Sequence, residues 1–185
     1  KPIIQWVIEG AQKSKLLQKI YVATDDERIA EVCRSTKVEV LMTMTDCPTG
    51  TDRIFEATKN LDFDVVLNIQ GDEPLISQSY IDPLAQAFLD NQKLDMATLA
   101  HPLAPEDLDN KNAVKVITNS FGEAIYFSRF AIPYSREKDL NSSASLKHIG
   151  LYGYSRDFLQ KFCTTEQALI EKYEPEALKI KEENK

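Results

Sequence analysis

Cysteine and histidine are too scarce in this chain for most metal or redox chemistry. Its 185 residues hold three cysteines and two histidines. Cys33, Cys47 and Cys163 are widely spaced and odd in number. They form neither a zinc pattern nor a disulfide framework, so each reads as a small apolar or surface residue suited to a reducing cytosol. With only His101 and His148 available, a histidine-rich metal site is excluded. No stretch approaches the roughly 18–20 apolar residues of a membrane span. Long basic runs are missing and the formal net charge is −7, which argues against nonspecific nucleic-acid binding and against a polybasic membrane surface. An anionic substrate stays open, because a bound cation can supply positive charge locally. The start, Lys1-Pro2-Ile3-Ile4-Gln5-Trp6, has no long apolar core and no small-residue cleavage site, so it does not read as a signal peptide. No Gly-x-Gly-x-x-Gly or Walker loop occurs, and no strand precedes the first expected helix. Either the fold needs no such element or the chain is a fragment. Internal repeats and low-complexity segments are also absent.

What is present is an ordinary globular composition, 43% hydrophobic and 28% charged. That is enough for one domain, with room for a small lobe. The pattern of residues 3–17 predicts an amphipathic helix. A strand follows at 20–23, a capped helix start at Thr24-Asp25-Asp26-Glu27, a helix over 27–35 and a strand over 38–42. A helix over 52–60, a strand over 65–69 and a helix from Ser77 or Ser79 to about Asn91 complete the series. This alternation predicts a doubly wound, mostly parallel sheet covered by helices. After Asp95 the strand-like segments 96–99, 113–118, 124–127 and 149–154 crowd together, the middle pair joined by a glycine-containing hairpin at 119–123. They predict an added mixed or antiparallel lobe. The expected divisions are 1–94, a parallel α/β half; 95–165, a mixed-strand substrate and dimer lobe; and 166–185, a charged helical tail. The Ser/Asn-rich stretch 134–147 reads as a mobile loop.

The most informative segment is Val65-Val66-Leu67-Asn68-Ile69-Gln70-Gly71-Asp72-Glu73-Pro74. It reads as a buried strand that stops on a glycine and two carboxylates. In open α/β sheets ligands bind beyond the carboxyl ends of strands. Asp72 can therefore hold a magnesium ion, which commonly takes one or two carboxylates plus substrate phosphates, or it can merely cap the next turn. Thr49-Gly50-Thr51-Asp52-Arg53 is a glycine turn feeding a helix. Its amides and Arg53 suit phosphate, unless Thr51 is an ordinary N-cap and Arg53 faces solvent. Arg129, closing Tyr126-Phe127-Ser128-Arg129, is either a surface charge or a clamp for an anion. His148-Ile149-Gly150-Leu151-Tyr152-Gly153-Tyr154 alternates around two glycines, as where a ligand or another strand comes close.

Together with Ala23-Thr24-Asp25, Met96-Ala97-Thr98-Leu99 and Asn112-Ala113-Val114-Lys115-Val116, these stretches resemble the 3-deoxy-manno-octulosonate (Kdo) cytidylyltransferases, or CMP-Kdo synthetases. The matches run in the family's order from Lys1 to about Cys163. The resemblance implies a nucleotide-diphospho-sugar transferase-like, Rossmann-like fold. It implies a cytoplasmic, homodimeric enzyme that joins CTP and Kdo, with magnesium, for lipopolysaccharide synthesis, and that has no nucleic-acid or membrane partner. By carry-over Asp72 binds magnesium and, with Arg53, serves catalysis. Thr49, Gly50, Thr51 and Gln70 line the nucleotide, and Arg129, His148, Tyr152 and Glu73 face the sugar acid. A cytidylyltransferase for another acidic sugar, such as an amino-Kdo analogue or a sialic acid, is the alternative enzyme. A truncated, non-catalytic homologue is the alternative without catalysis. The family's basic glycine loop lies upstream of the segment matching Lys1-Pro2-Ile3, and its late Val-Asp-Thr-Pro-Glu-Asp metal motif has no aspartate counterpart around Glu174-Pro175-Glu176. Residues 1–185 alone are therefore expected to turn over poorly.

Overall fold

The structure, a computed structural model, describes residues 1–134 and 145–166. Most of the Ser/Asn-rich stretch and the tail with Glu174-Pro175-Glu176 lie outside the described residues. The chain divides into two units, one of Lys1–Thr98 with Gly150–Thr164, the other containing Leu99–Ile149.

In the first unit, helix α1 (Ile3–Ala11) buries Val7, Ile8 and Ala11, while Ile3 and Trp6 stay about half exposed. This is the one-sided burial expected of an amphipathic helix. The helix stops at Ala11 and does not reach Leu16-Leu17. The Ser14 hydroxyl accepts from the amides of Leu16 and Leu17, replacing the helical ladder with a local side-chain bond. Strands β1 (Tyr21–Thr24) and β2 (Glu39–Met42) pair in parallel, Tyr21 opposite Glu39 and Thr24 opposite Met42. The crossover between them is α2 (Glu27–Arg34), capped by the Asp26 carboxylate, which accepts from the Arg28 amide at 2.8 Å. Ile8, Val22, Cys33 and Val38 form a core cluster, with Ile4, Ile20 and Val40 packed against it. Full burial of an aliphatic side chain such as Ile8, 2% exposed, stabilises by about 1.5–3 kcal/mol.

Helix α3 (Gly50–Thr58) precedes β3 (Val65–Ile69), and α4 (Gln78–Asp90) follows it. The ladder of β3 runs antiparallel to the last half of β7 (Leu146–Ser155), from Val65 opposite Ser155 to Ile69 opposite Leu151. Gly153 is required there. A Cβ would lie 2.9 Å from Leu67 Cδ2 and would overlap the Phe88 ring of α4. Helix α5 (Arg156–Thr164) then packs on α3. The mixed α/β architecture is present, but while β1 and β2 pair in parallel, β3 is paired antiparallel. Residues 150–164, grouped by sequence with the second lobe, belong to the first unit. The alternation of helices and strands sets the order of elements; it does not say which distant strand becomes the neighbour of β3. β4 (Met96–Pro102) also pairs with β7, and the Thr98 hydroxyl donates to the Leu151 carbonyl at 2.8 Å.

In the second unit, β5 (Lys115–Thr118) and β6 (Ala124–Ser128) form an antiparallel hairpin, with Lys115 opposite Ser128 and a register shift between Ile117 and Thr118. Gly122 turns at φ +81°, a left-handed conformation that favours glycine. Asn119 Oδ1 accepts from the amides of Phe121 and Glu123 and closes the loop. β5 also pairs with the start of β7, Lys115 opposite Lys147. Among the described residues no helix is long and apolar enough to cross a membrane.

Candidate active site

The glycine turn feeding α3 is capped two residues earlier than Thr51. Thr49 is extended, at φ −136° and ψ 168°, and its hydroxyl accepts from the Asp52 amide at 3.2 Å. Thr51 lies inside the first turn. It reaches the Tyr154 hydroxyl at 3.4 Å. Apart from its own helix turn, Gly50 meets no described residue within 4 Å of where a Cβ would sit, which leaves room for a ligand at the exposed helix start.

Arg53 does not simply face solvent. Its Nη1 donates to the Thr43 hydroxyl at 2.6 Å and the Met44 carbonyl at 3.2 Å, and its Nη2 to Asp25 at 3.1 Å. Asp25 follows β1 and Thr43 follows β2, so one guanidinium ties the carboxyl ends of both parallel strands to α3. Its remaining donors can still meet an anion.

Beyond β3 the chain turns sharply. The Glu73 amide donates to the Gln70 carbonyl at 3.3 Å, placing Gly71 and Asp72 at the centre of the turn. Gln70, Asp72 and Glu73 are all exposed. Asp72 caps no helix, because the N-cap of α4 is Ser77. Its carboxylate has no hydrogen bond or ion pair among the described residues. Nor do those residues hold any group of three or more His, Cys, Asp or Glu that could bind a metal. A cation here would be held by Asp72 with substrate oxygens and water rather than by a protein cage. That donor set suits magnesium, which keeps several waters and takes one or two carboxylates plus phosphates.

Strand pairing brings several of these groups to one face. Asn68 lies opposite Tyr152, and Val66 opposite Tyr154. Directly paired residues share a face, as do residues two apart on one strand. Asn68, Tyr152 and Tyr154 therefore lie on the same side of the β3–β7 ladder, and Leu67 and Gly153 on the other, with Gln70 just beyond the strand end. The rings of Tyr152 and Tyr154 stack with centroids 6.3 Å apart, and Tyr154 reaches Thr51. Burial pushes the Tyr154 phenol up to about 12, with the Thr51 contact opposing the shift.

Arg129 and His148 belong to the second unit. Arg129 is exposed just after β6, and its Nη1 donates to the Lys111 carbonyl at 3.0 Å. His148 is half-buried on β7, its ring edge-on to Phe127 with centroids 5.0 Å apart. Its amide donates to the Val114 carbonyl at 2.9 Å.

Two residues escaped the sequence reading. Asp25 was visible as part of a helix start and of the Ala23-Thr24-Asp25 match but carried no role, yet it holds Arg53. Asn68 is 5% exposed and shares the face of Tyr152. Its signal was a polar residue two positions before Gln70 in an otherwise apolar strand.

A family model described as cytidylyltransferase matches residues 1–185. The chain is 53% identical to a 3-deoxy-manno-octulosonate cytidylyltransferase of Bdellovibrio bacteriovorus over 94% of its length and 72% of the relative's. It is 41% identical to the enzyme of that name from Trichlorobacter lovleyi, over 92% of this chain and 72% of the relative. A solved structure of CMP:2-keto-3-deoxy-manno-octonic acid synthetase complexed with CTP superposes with a TM-score of 0.88 at 35% identity, covering 95% of this chain and 72% of that one.

Proposed function

We propose, from the premise that this chain belongs to the 3-deoxy-manno-octulosonate cytidylyltransferases, an activity assembled around the acidic turn after β3. The chain is a nucleotidyltransferase that activates Kdo with CTP. The anomeric hydroxyl of Kdo attacks the α-phosphorus of CTP. The new oxygen–phosphorus bond gives CMP-Kdo, the bond to the β-phosphate breaks, and pyrophosphate leaves with the hydroxyl proton passed to solvent. The observation that carries the assignment of roles is the Asp72 carboxylate, exposed at the end of a strand and unengaged by the described residues.

Asp72 is the ligand for magnesium, and Glu73 beside it faces the sugar acid. When bound, the ion offsets charge on the triphosphate. Thr49, Gly50 and Thr51 offer amides and hydroxyls at the start of α3 to the nucleotide, and Gln70 hydrogen-bonds it from the strand end. Arg53, held by Asp25 and Thr43, presents a fixed positive charge to the phosphates and has no reorganisation to undergo as charge develops. Arg129 suits the carboxylate of the sugar acid, and His148 and Tyr152 suit its hydroxyls. The same reading takes the enzyme as a cytoplasmic homodimer supplying lipopolysaccharide synthesis. Among acidic sugars, Kdo is favoured by the names that the similar enzymes share.

The experiment is Asp72→Asn in the full-length enzyme. It removes the charge a hard cation needs while keeping the size. Pyrophosphate release should be nearly abolished, with circular dichroism and melting temperature unchanged. Turnover like the unmutated enzyme at limiting magnesium would overturn the assignment.

A further inference from the structure

Lys115 is a charge that the proposed chemistry does not use. It sits on β5 with its side chain fully buried. Lysine is almost never fully buried unless paired, yet Lys115 makes no ion pair among the described residues. Its Nζ donates instead to two backbone carbonyls, Asn110 at 2.7 Å and Arg129 at 3.0 Å. Burial pushes its pKa below the ordinary lysine value. Asp107 and Asp109 oppose that shift, and Arg129 and Lys147 add to it. An apolar side chain of similar length would fill the same space without desolvating an ammonium. The charge therefore has to be explained by what it holds.

It holds both ends of one structure. Arg129 follows directly on Ser128, the cross-strand partner of Lys115. Lys115 fixes the Arg129 carbonyl, while the Arg129 guanidinium returns to the Lys111 carbonyl. The same loop is tied at Asn110, whose carbonyl accepts from Lys115 and whose Nδ2 donates to Asp107 at 2.9 Å. Asp107 in turn pairs at 2.8 Å with Lys147, the residue opposite Lys115 on β7. Backbone and guanidinium of Arg129 are thus referred to one loop, and Lys115 is the strut between them.

We propose that Lys115 is a positioning residue, whose buried ammonium clamps the Asn110 and Arg129 carbonyls and so aims the Arg129 guanidinium at the carboxylate of the sugar acid. This rests on the reading of Arg129 as a sugar-acid ligand. An arginine–carboxylate contact depends on direction as well as charge, and small misplacements of a binding group cost large factors.

The test uses the full-length enzyme with Lys115→Met, Arg129→Ala and the double variant. Separate KM values for Kdo and CTP are measured beside thermal unfolding. Lys115→Met should fold and melt no more than a few degrees below the unmutated enzyme, because removing a buried charge offsets the donor lost by the Arg129 carbonyl. It should raise the KM for Kdo about ten- to a hundredfold and leave the KM for CTP within about twofold. In the Arg129→Ala background it should add less than about twofold, since both changes act through one contact. If Arg129→Ala raises the KM for Kdo and Lys115→Met does not, positioning by Lys115 is wrong and the reading of Arg129 stands. If Arg129→Ala leaves that KM unchanged, the reading of Arg129 fails and takes this proposal with it. Equal effects on both substrates, or full additivity, also overturn it. Should Lys115→Met not fold, Lys115→Gln keeps a donor one bond shorter and supplies the same readout. A folded Lys115→Gln enzyme with unchanged KM for Kdo, or loss of folding in both variants, would show a purely structural ammonium.

Discussion

Gly10 of α1 lies against the carbonyl group of Ile76, so close that a Cβ at Gly10 would overlap the Ile76 oxygen. Ile4, on the same helix, puts its Cδ1 3.4 Å from where a Cβ of Gly71 would be. The acidic turn that carries Asp72 therefore rests on α1 at both of its ends, with the Ile76 amide closing it back onto the Glu73 carbonyl at 3.0 Å.

The contact predicts the effect of Gly10→Ala. In an exposed helix this change would stabilise by up to about 1 kcal/mol. Here the clashing atom belongs to backbone and cannot swing aside, so overpacking at a cost of about 1–3 kcal/mol wins. The melting temperature should fall. Pyrophosphate release should fall with it, and the magnesium requirement should rise as Asp72 shifts. A melting curve and a magnesium titration check both. A variant more stable than the parent would refute the packing argument.

Asp25→Asn separates orientation from stability. The Arg53–Asp25 pair is partly exposed, with side chains 22% and 30% accessible, and pairs of this kind contribute little to folding. The melting temperature should barely move. Turnover should drop about tenfold or more, because Arg53 loses its tether to the end of β1. Equal losses in Arg53→Ala and in the double variant would confirm that both act through one guanidinium.

Arg129→Ala and His148→Ala should each raise the KM for Kdo far more than the KM for CTP. Loss of a charge-assisted bond to a carboxylate costs on the order of 2 kcal/mol in a desolvated site, or about thirtyfold. Steady-state kinetics with each substrate varied in turn decides the matter, and a larger defect for CTP would reverse the assignment.

Alkaline stability should depend on Tyr154. Its phenol is raised to about 12, chiefly by burial, against about 10 in an unfolded chain. A raised folded value favours the neutral phenol. The contribution is therefore intact below about pH 10 and is lost as pH climbs from there through 12, by on the order of 2 kcal/mol in all. Tyr154→Phe should flatten the loss of stability between pH 10 and 12 in denaturant titrations. An unchanged slope would place the phenol in contact with water.

Local chemistry accounts for what was legible in the chain. The 65–69 strand and its end follow from a β-branched run meeting a glycine, and the structure ends β3 at Ile69, but the strand expected to be buried exposes Val65 and fully buries Asn68 alone. Gly122 declared a turn and Thr24-Asp25-Asp26-Glu27 a helix start through preferences that need no distant partner, although Asp26 and not Thr24 is the residue that caps α2. Thr49 took the cap expected at Thr51, a two-residue error within reach of helix-end ambiguity.

Other features rest on distant partners and so had no local signal. Nothing near Val65 indicates that its neighbour is Ser155, 90 positions along the chain and running the other way. That pairing moved residues 150–164 into the first unit and put Asn68 on the face of Tyr152. Asp25 and Lys115 stood in the sequence only as members of the Ala23–Asp25 and Asn112–Val116 stretches, with nothing local to show that one binds Arg53 and the other lies between two carbonyls. The sequence by itself determined the kinds of element, the turns and the motif residues of the site, because propensity and capping act over a few residues. The tertiary structure decided which strands adjoin and which charges are buried or tethered, because hydrogen-bond ladders and desolvation depend on groups that only folding brings within a few ångströms.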